Sequence, residues 1–420
     1  YCLQVVRIAS LLHDVGHGAF SHMLPYVQVG GKSFLPSLKQ VLNSGDRWNL
    51  GGEDDPIAQG IMDFFDSDMD QPIEHEALSV LILKKMFMDL AVGSGKHSPE
   101  SFFIDISPQT WIQDVASMIL YTIPTSHKFD ESAKNLVDLS LADIAVTEDS
   151  QLKPNNIPAN IKSILSTLVS GTIDADRMDY MLRDSRECGV NYGLYDYDGL
   201  ISALLLVIDG PELVLGFNAK RVNTLDDFLW SRYQMFKQIY CHKTHSAYNL
   251  LLGRAMNDLA HHNKLSSPQS LSDYLKLTDD YVMSRVFEEA QTDARDTPWV
   301  KAFAQRELPK LLGVFEASIS DPVWNSSEKE IYEQSQFEKY NGWSSDPDFV
   351  TVSLKAEVVR TLSDARTLPL AVRFDKTKKS YLKASYLNES VFFQSNLDEN
   401  LRLDELSKRL NRKLLFFYKL

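Results

Sequence analysis

Leu11-Leu12-His13-Asp14-Val15-Gly16-His17-Gly18-Ala19-Phe20-Ser21-His22 places three imidazoles and a carboxylate within a short span. It follows the apolar-rich run from Val5 to Leu12, whose spacing suits a helix lying against a core. The polar cluster therefore sits at the mouth of something buried. The pattern predicts a helix over residues 1–23, stopped near Pro25. If that helix continues to His17, His13 and His17 share a face and Asp14 lies about 100° round from His13. Imidazole nitrogen with carboxylate oxygen suits a divalent first-row metal. A lone His-Asp pair is more commonly a cap or a surface feature, but this one has company.

Three other segments carry the same kind of chemistry. In Ile73-Glu74-His75-Glu76 a histidine is flanked by carboxylates, which favour its cationic form and suit it to act as a general acid on a leaving oxygen. A solvated helix start is the plain alternative. Between Gly171 and Asp184, helical spacing brings Asp176, Tyr180 and Arg183 or Asp184 to one side, while Ile173, Met178, Met181 and Leu182 supply packing. A carboxylate on that side completes a metal shell, and Arg177 with Tyr180 holds phosphate and base or sugar. The alternative is an acidic helix start favoured by the dipole. Between Arg232 and Lys243, Arg232 and Tyr240 face one cleft, with Lys237 and Lys243 adding cationic reach. Such groups clamp phosphate oxygens and stack on a base or sugar, although a basic-aromatic helix also packs well on a partner subunit.

Composition bounds the rest. At 420 residues the chain buries a large core. Its formal charge of −14 argues against broad nonspecific nucleic-acid binding but allows a local basic pocket. Cys2, Cys188 and Cys241 form no CxxC or disulfide framework, so a reducing, cytoplasmic setting is the default. No apolar run spans a bilayer; the longest, Ile201 to Ile208, closes at Asp209-Gly210-Pro211. The chain opens at Tyr1 inside a helical pattern, as a fragment or trimmed chain would.

Along the chain, residues 26–70 suggest loops over short helices, Glu74 to Leu90 a helix, and Glu148 to Pro158 an exposed linker. Residues 161–182 are helical with a break at Gly171-Thr172, residues 200–216 form a small hairpin, and Leu225 to Leu259 forms one long helix or two. Short strands are expected at Phe349 to Leu354 and Leu370 to Phe374. The fold class is mostly α, with a helical core over residues 1–265 and a mixed α+β lobe over 266–420.

Taken together and in order, LLHDVGHGAFSH, EHE, DADRMDYMLRDS and RYQMFKQIYCHK resemble the HD-domain phosphohydrolases, specifically the deoxynucleoside triphosphate triphosphohydrolase branch, over roughly residues 1–260. The resemblance implies hydrolysis of a dNTP to deoxynucleoside and triphosphate. A phosphodiesterase, a 5′-nucleotidase and a noncatalytic nucleotide-sensing or nucleic-acid-binding scaffold are the alternatives. It implies one divalent metal ion (Mn, Fe, Mg, Ni or Zn) on His13, Asp14 and Asp176, helper groups at His17, His22, His75 and Glu76, and substrate contacts from Arg177, Tyr180, Asp184, Arg232 and Tyr240, to which the cationic reach of Lys243 adds a further expected contact. It also implies a homo-oligomer with a nucleotide substrate, room for a nucleic-acid or nucleotide effector, and no membrane partner. The family's first metal ligand is a histidine on a preceding helix, and no histidine precedes His13. A start inside a longer protein accounts for that.

Overall fold

The computed structural model describes residues 1–52, 54–66, 68–92, 106–140, 144–147, 154–292, 296–316, 349–354, 369–375, 380–383 and 412–417. Helix α1 (Cys2–Leu12) is followed by a 3-10 turn (Ser21–Tyr26), a two-residue hairpin of β1 (Gln28–Val29) and β2 (Lys32–Ser33), α2 (Leu38–Asn43) and α3 (Pro56–Phe64). Next come α4 (His75–Val92), α5 (Pro108–Ile119), α6 (His127–Ser140), β3 (Ala145–Val146), α7 (Ile157–Val169), α8 (Ala175–Glu187) and α9 (Tyr197–Ala203). The hairpin of β4 (Leu204–Asp209) and β5 (Glu212–Asn218) leads into α10 (Val222–Met235), a π-turn (Phe236–Tyr240) and α11 (Lys243–His261). Then follow α12 (Leu271–Tyr274), α13 (Asp279–Ala290), α14 (Pro298–Ala304), β6 (Lys310–Glu316), β7 (Phe349–Leu354), β8 (Leu370–Asp375), β9 (Ser380–Lys383) and β10 (Arg412–Phe417). The protein is mostly α with small sheets.

The helix expected over residues 1–23 ends at Leu12. Gly16 explains the stop: a Cβ there would collide with the His75 carbonyl and with Ser79, so the chain leaves its helix to press its backbone onto the start of α4. Phe20 and Ser21 then take φ of 56° and 51°, which no right-handed helix accommodates, and Pro25 lies inside the 3-10 turn. The shared helical face expected for His13 and His17 therefore does not exist.

The other boundaries follow their sequence signals. Helix α4 begins at His75, and Asp174, the N-cap of α8, closes the break after Gly171. The π-turn divides the expected long helix after Met235. Of the expected linker, residues 148–153 lie outside the described residues. The remainder is not an exposed tether: Pro154 is buried, Asn155 N–H donates to the Pro211 carbonyl at 2.6 Å, and Ile157-Pro158 opens α7. The polar segment after α4 at residues 93–99 is likewise outside the description.

The main core gathers Val5, Ala9, Leu78, Leu81, Val115, Ile161 and Leu259 from α1, α4, α5, α7 and α11. A second cluster of Ile173, Met178, Met181, Phe217, Phe228 and Tyr233 backs α8 and α10. The five-stranded sheet runs β3-β4-β5-β8-β9, with β4 and β5 antiparallel, and a separate three-stranded sheet runs β6-β10-β7. Among the described residues no helix is long and apolar enough to cross a membrane.

Candidate active site

The turn that carries His13 to His17 is held from outside. Ser79 on α4 donates its hydroxyl to the His13 carbonyl and accepts the Gly16 N–H at 2.8 Å. Tyr274 donates its hydroxyl to the Gly16 carbonyl at 2.6 Å, and Phe20 N–H donates to Asp279 Oδ1 at 2.8 Å. His13 Nδ1 lies 2.9 Å from the Ser10 carbonyl, which fixes the ring and turns Nε2 toward two carboxylates. Nε2 is 3.3 Å from Asp14 Oδ1 and 3.7 Å from Asp176 Oδ1, and is buried without a hydrogen-bond partner.

With Nδ1 engaged by a carbonyl, a neutral ring presents a lone pair to two anionic oxygens. That arrangement calls for a cation between them. Protonation is one answer: burial works to lower the His13 pKa, but Asp176 and Asp14 outweigh it and hold it up to about 9. Asp176 responds in kind, since burial would raise it and the pull of His13 and Arg177 brings it below its ordinary value. A divalent metal is the other answer, and the donor set fits one: the ligand atoms of His13, Asp14 and Asp176 all lie within 4.8 Å of one another.

Beside this triad three imidazoles pack together. His17 stacks on His75 with centroids 4.0 Å apart and planes 13° apart, while His22 meets both edge-on at 4.7 and 5.8 Å. His17 Nε2 also lies 3.6 Å from Asp14 Oδ1, and Asp14, His17 and His75 form a second group with ligand atoms within 4.8 Å. Burial and the neighbouring His75 push His17 down to about 4. Burial also lowers His75, with His22 and His13 adding to it. The expectation that carboxylates keep His75 protonated is thus reversed, although Glu76 Oε2 is 3.1 Å from its Nδ1. Desolvation and nearby imidazoles win.

The opposite wall is built on helices. Asp174, 2% exposed, accepts the Arg177 N–H on Oδ1 at 2.7 Å. Its Oδ2 accepts the Gly171 N–H at 2.8 Å and Arg177 Nη1 at 2.6 Å. One buried carboxylate therefore both caps α8 and fixes Arg177 next to Asp176. Arg232, 9% exposed, lies with its guanidinium 5.2 Å from the Phe236 ring centre and within electrostatic reach of Tyr180, Arg177 and Asp176; burial lowers its pKa. Tyr240 donates its hydroxyl to Asp184 Oδ2 at 2.8 Å, and its ring meets Tyr180 at 6.2 Å and 71°. The intervening π-turn, a device common at functional sites, lets both ends of this segment turn toward α8.

The structure thus brings His13, Asp14, Asp176, His17, His22, His75 and Glu76 together, with Arg177, Tyr180, Asp184, Arg232 and Tyr240 alongside. It does not bring Lys243 to them: that residue opens α11 and is exposed, with no contact to the cluster among the described residues. Arg183, exposed, pairs with Asp179 at 3.1 Å and lies 3.8 Å from Asp184 Oδ1, with its charge also felt at Asp176. Sequence reasoning missed four positioning residues: Asp174, Ser79, Tyr274 and Asp279. Asp174 was visible as an N-cap three residues before Arg177, and Ser79 as the position one helical turn after His75. Tyr274 left no sequence signal.

No family model matches the chain. Among curated proteins it is 28% identical over 138 residues to an uncharacterized protein of Methanocaldococcus jannaschii, covering 30% of each. It is 27% identical over 164 residues to the uncharacterized protein YwfO of Bacillus subtilis, covering 35% of this chain and 36% of that protein. A third uncharacterized relative, from Mycoplasma genitalium, is 27% identical over 164 residues, or 38% of this chain and 36% of its own length. The chain spans about a third of the length of the curated relatives it matches. In three dimensions it is similar to a phosphohydrolase from Bacteroides thetaiotaomicron, with a TM-score of 0.54 and 18% identity over 100% of this chain and 80% of that one. That likeness establishes a shared mostly-α fold.

Proposed function

We propose that this chain is a metal-dependent phosphohydrolase that cleaves deoxynucleoside triphosphates to deoxynucleoside and triphosphate. The observation that carries the reading is the convergence of His13 and Asp14 with Asp176, residues far apart in sequence whose ligand atoms cluster within 4.8 Å around a buried, unpartnered imidazole nitrogen. Two further facts support it: the fold resembles that of a phosphohydrolase, and the motifs resemble the dNTP triphosphohydrolase branch.

When bound, a divalent ion supplies Lewis-acid chemistry at phosphorus and makes water more acidic. The chain's own groups do the rest. Arg177 and Arg232 offset the charge that grows on the phosphoryl oxygens in the transition state. Tyr180 and Tyr240, the latter tied to Asp184, border the sugar and base. His17 or His75, both neutral at pH 7, accepts one proton from the attacking water as its oxygen bonds to the α-phosphorus. That proton passes to His22, edge-on to both rings, which gives it to the sugar oxygen as the bond from phosphorus to that oxygen breaks.

The test is to incubate the protein with each dNTP and a series of divalent metals and to identify the inorganic product. Tripolyphosphate, lost in His13→Ala and Asp176→Ala, is the expected result. Pyrophosphate or orthophosphate instead would reassign the chain to a phosphodiesterase or nucleotidase, and no turnover with any metal would overturn the hydrolase reading.

A further inference from the structure

A second basin, sharing no residue with the histidine and carboxylate cluster, opens between the β1-β2 hairpin, α2 and residues 267–269. It encloses about 780 Å³, within the range of small-molecule sites. Among the described residues three cations line it, Lys32, Lys39 and Arg47, beside one carboxylate, Asp70. Asp70 lies 4.0 Å from Lys39, while Lys32 and Arg47 are ion-paired with no described residue. On a chain of net charge −14 this is a local reversal of sign.

The remaining lining narrows the ligand. Ser33 and Asn43 add a hydroxyl and an amide, and Gln269 keeps one amide hydrogen beyond the one it gives the Ser267 carbonyl at 3.2 Å; the Ser44 hydroxyl is already spent on the Val41 carbonyl at 2.7 Å. Pro36, Pro72 and Pro268 give the basin walls that cannot rotate away. Trp48 contributes to the wall but is only 1% exposed, so it offers no open face for stacking a base. The N-terminus of α2 takes no part, because Ser37 and Gln40 already satisfy each other's backbone N–H groups in a capping box. Cations, a hydroxyl and amides around a rigid space without a stacking platform favour a compact, multiply charged phosphate over a nucleobase.

We propose that this basin is a binding site for a small polyanionic phosphate compound, held by Lys32, Lys39 and Arg47. Arg47 supplies the planar fork that engages two oxygens, and the two lysines supply point charges. Binding weakens as salt rises, since all three cations are solvent-facing.

The experiment is isothermal titration of inorganic tripolyphosphate into the full chain, beside a Lys32→Glu/Arg47→Glu double variant and an Arg232→Gln variant. Both exchanged side chains of the double variant are exposed, and circular dichroism with a thermal melt confirms that it folds. The expected result is a set of sites in the wild type that weakens at least about tenfold in the double variant and persists in Arg232→Gln. A double variant that folds and titrates like the wild type would overturn the assignment. So would a signal abolished by Arg232→Gln alone, since all binding would then belong to the catalytic cleft.

Discussion

The two walls of the cleft are held by opposite means. His13, Asp14, His17 and His22 ride on turns, and that backbone is fixed by groups from elsewhere in the fold: Ser79, Tyr274 and Asp279. Asp176, Arg177, Tyr180, Arg232 and Tyr240 ride on helices or the π-turn that continues one; the Asp174 clamp restrains Arg177 from three residues away, and the Tyr240–Asp184 bond ties the π-turn to α8. A turn has no ladder of its own hydrogen bonds, so it borrows rigidity. A helix needs only its cap and a neighbour.

The largest effect should come from removing one ligand on each side. His13→Ala and Asp176→Ala should both drop hydrolysis to background and metal affinity by more than about 100-fold, beyond what loss of a merely supporting partner costs. Metal content by mass spectrometry checks it, and a variant that kept its metal would break the symmetry of the two walls. Next, Arg232→Gln should lower kcat about 100-fold with metal content unchanged, as loss of a donor to transition-state charge does. Steady-state kinetics with metal analysis separates that outcome from a structural one.

Two substitutions sharpen the contrast in rigidity. Gly16→Ala forces a methyl into the His75 carbonyl and Ser79, and should cost about 1–3 kcal/mol of stability, read from urea unfolding. Tyr274→Phe leaves the Gly16 carbonyl without its buried donor, and should cost about 1–2 kcal/mol while lowering activity more than that loss alone predicts. An activity loss no larger than the stability change explains would show that the turn holds its geometry unaided.

The smallest effect is one of pH. Against the pull of burial, Asp176 and Asp14 hold the His13 pKa up to about 9 from its ordinary 6.5 when no metal is bound. The stabilisation from its pairing is therefore fully present below about 6.5 and fades as pH rises through about 9. A metal must displace that proton, so its apparent affinity should climb across the same window with proton release. Calorimetry in two buffers of different ionisation enthalpy measures it.

Much of this architecture was written in local pattern. The periodicity from Glu74 to Leu90 marked α4, Asp209-Gly210-Pro211 marked the hairpin turn, and Gly171-Thr172 marked the break before α8, because each signal lies within a few residues of its effect. His13, Asp14 and Asp176 were likewise marked by residue type as candidate ligands, and their ligand atoms lie within 4.8 Å of one another. What stayed hidden was non-local. The helix stop after Leu12 depends on how Gly16 meets α4, and left-handed Phe20 has none of the composition that usually announces such a turn. The charge of His75 depends on burial that no spacing records. Tyr274 meets Gly16 from 258 residues further along the chain.

That last contact has a practical side. A polypeptide cut at residue 265 would retain every proposed ligand and cation of the cleft, yet it would lack Tyr274 and Asp279, two of the anchors for the segment bearing His17 and His22. Deletion mapping by ligand content alone would draw the catalytic unit too short. Any shortened version intended for metal loading must run through α13, or the ion would meet a loop still searching for its shape.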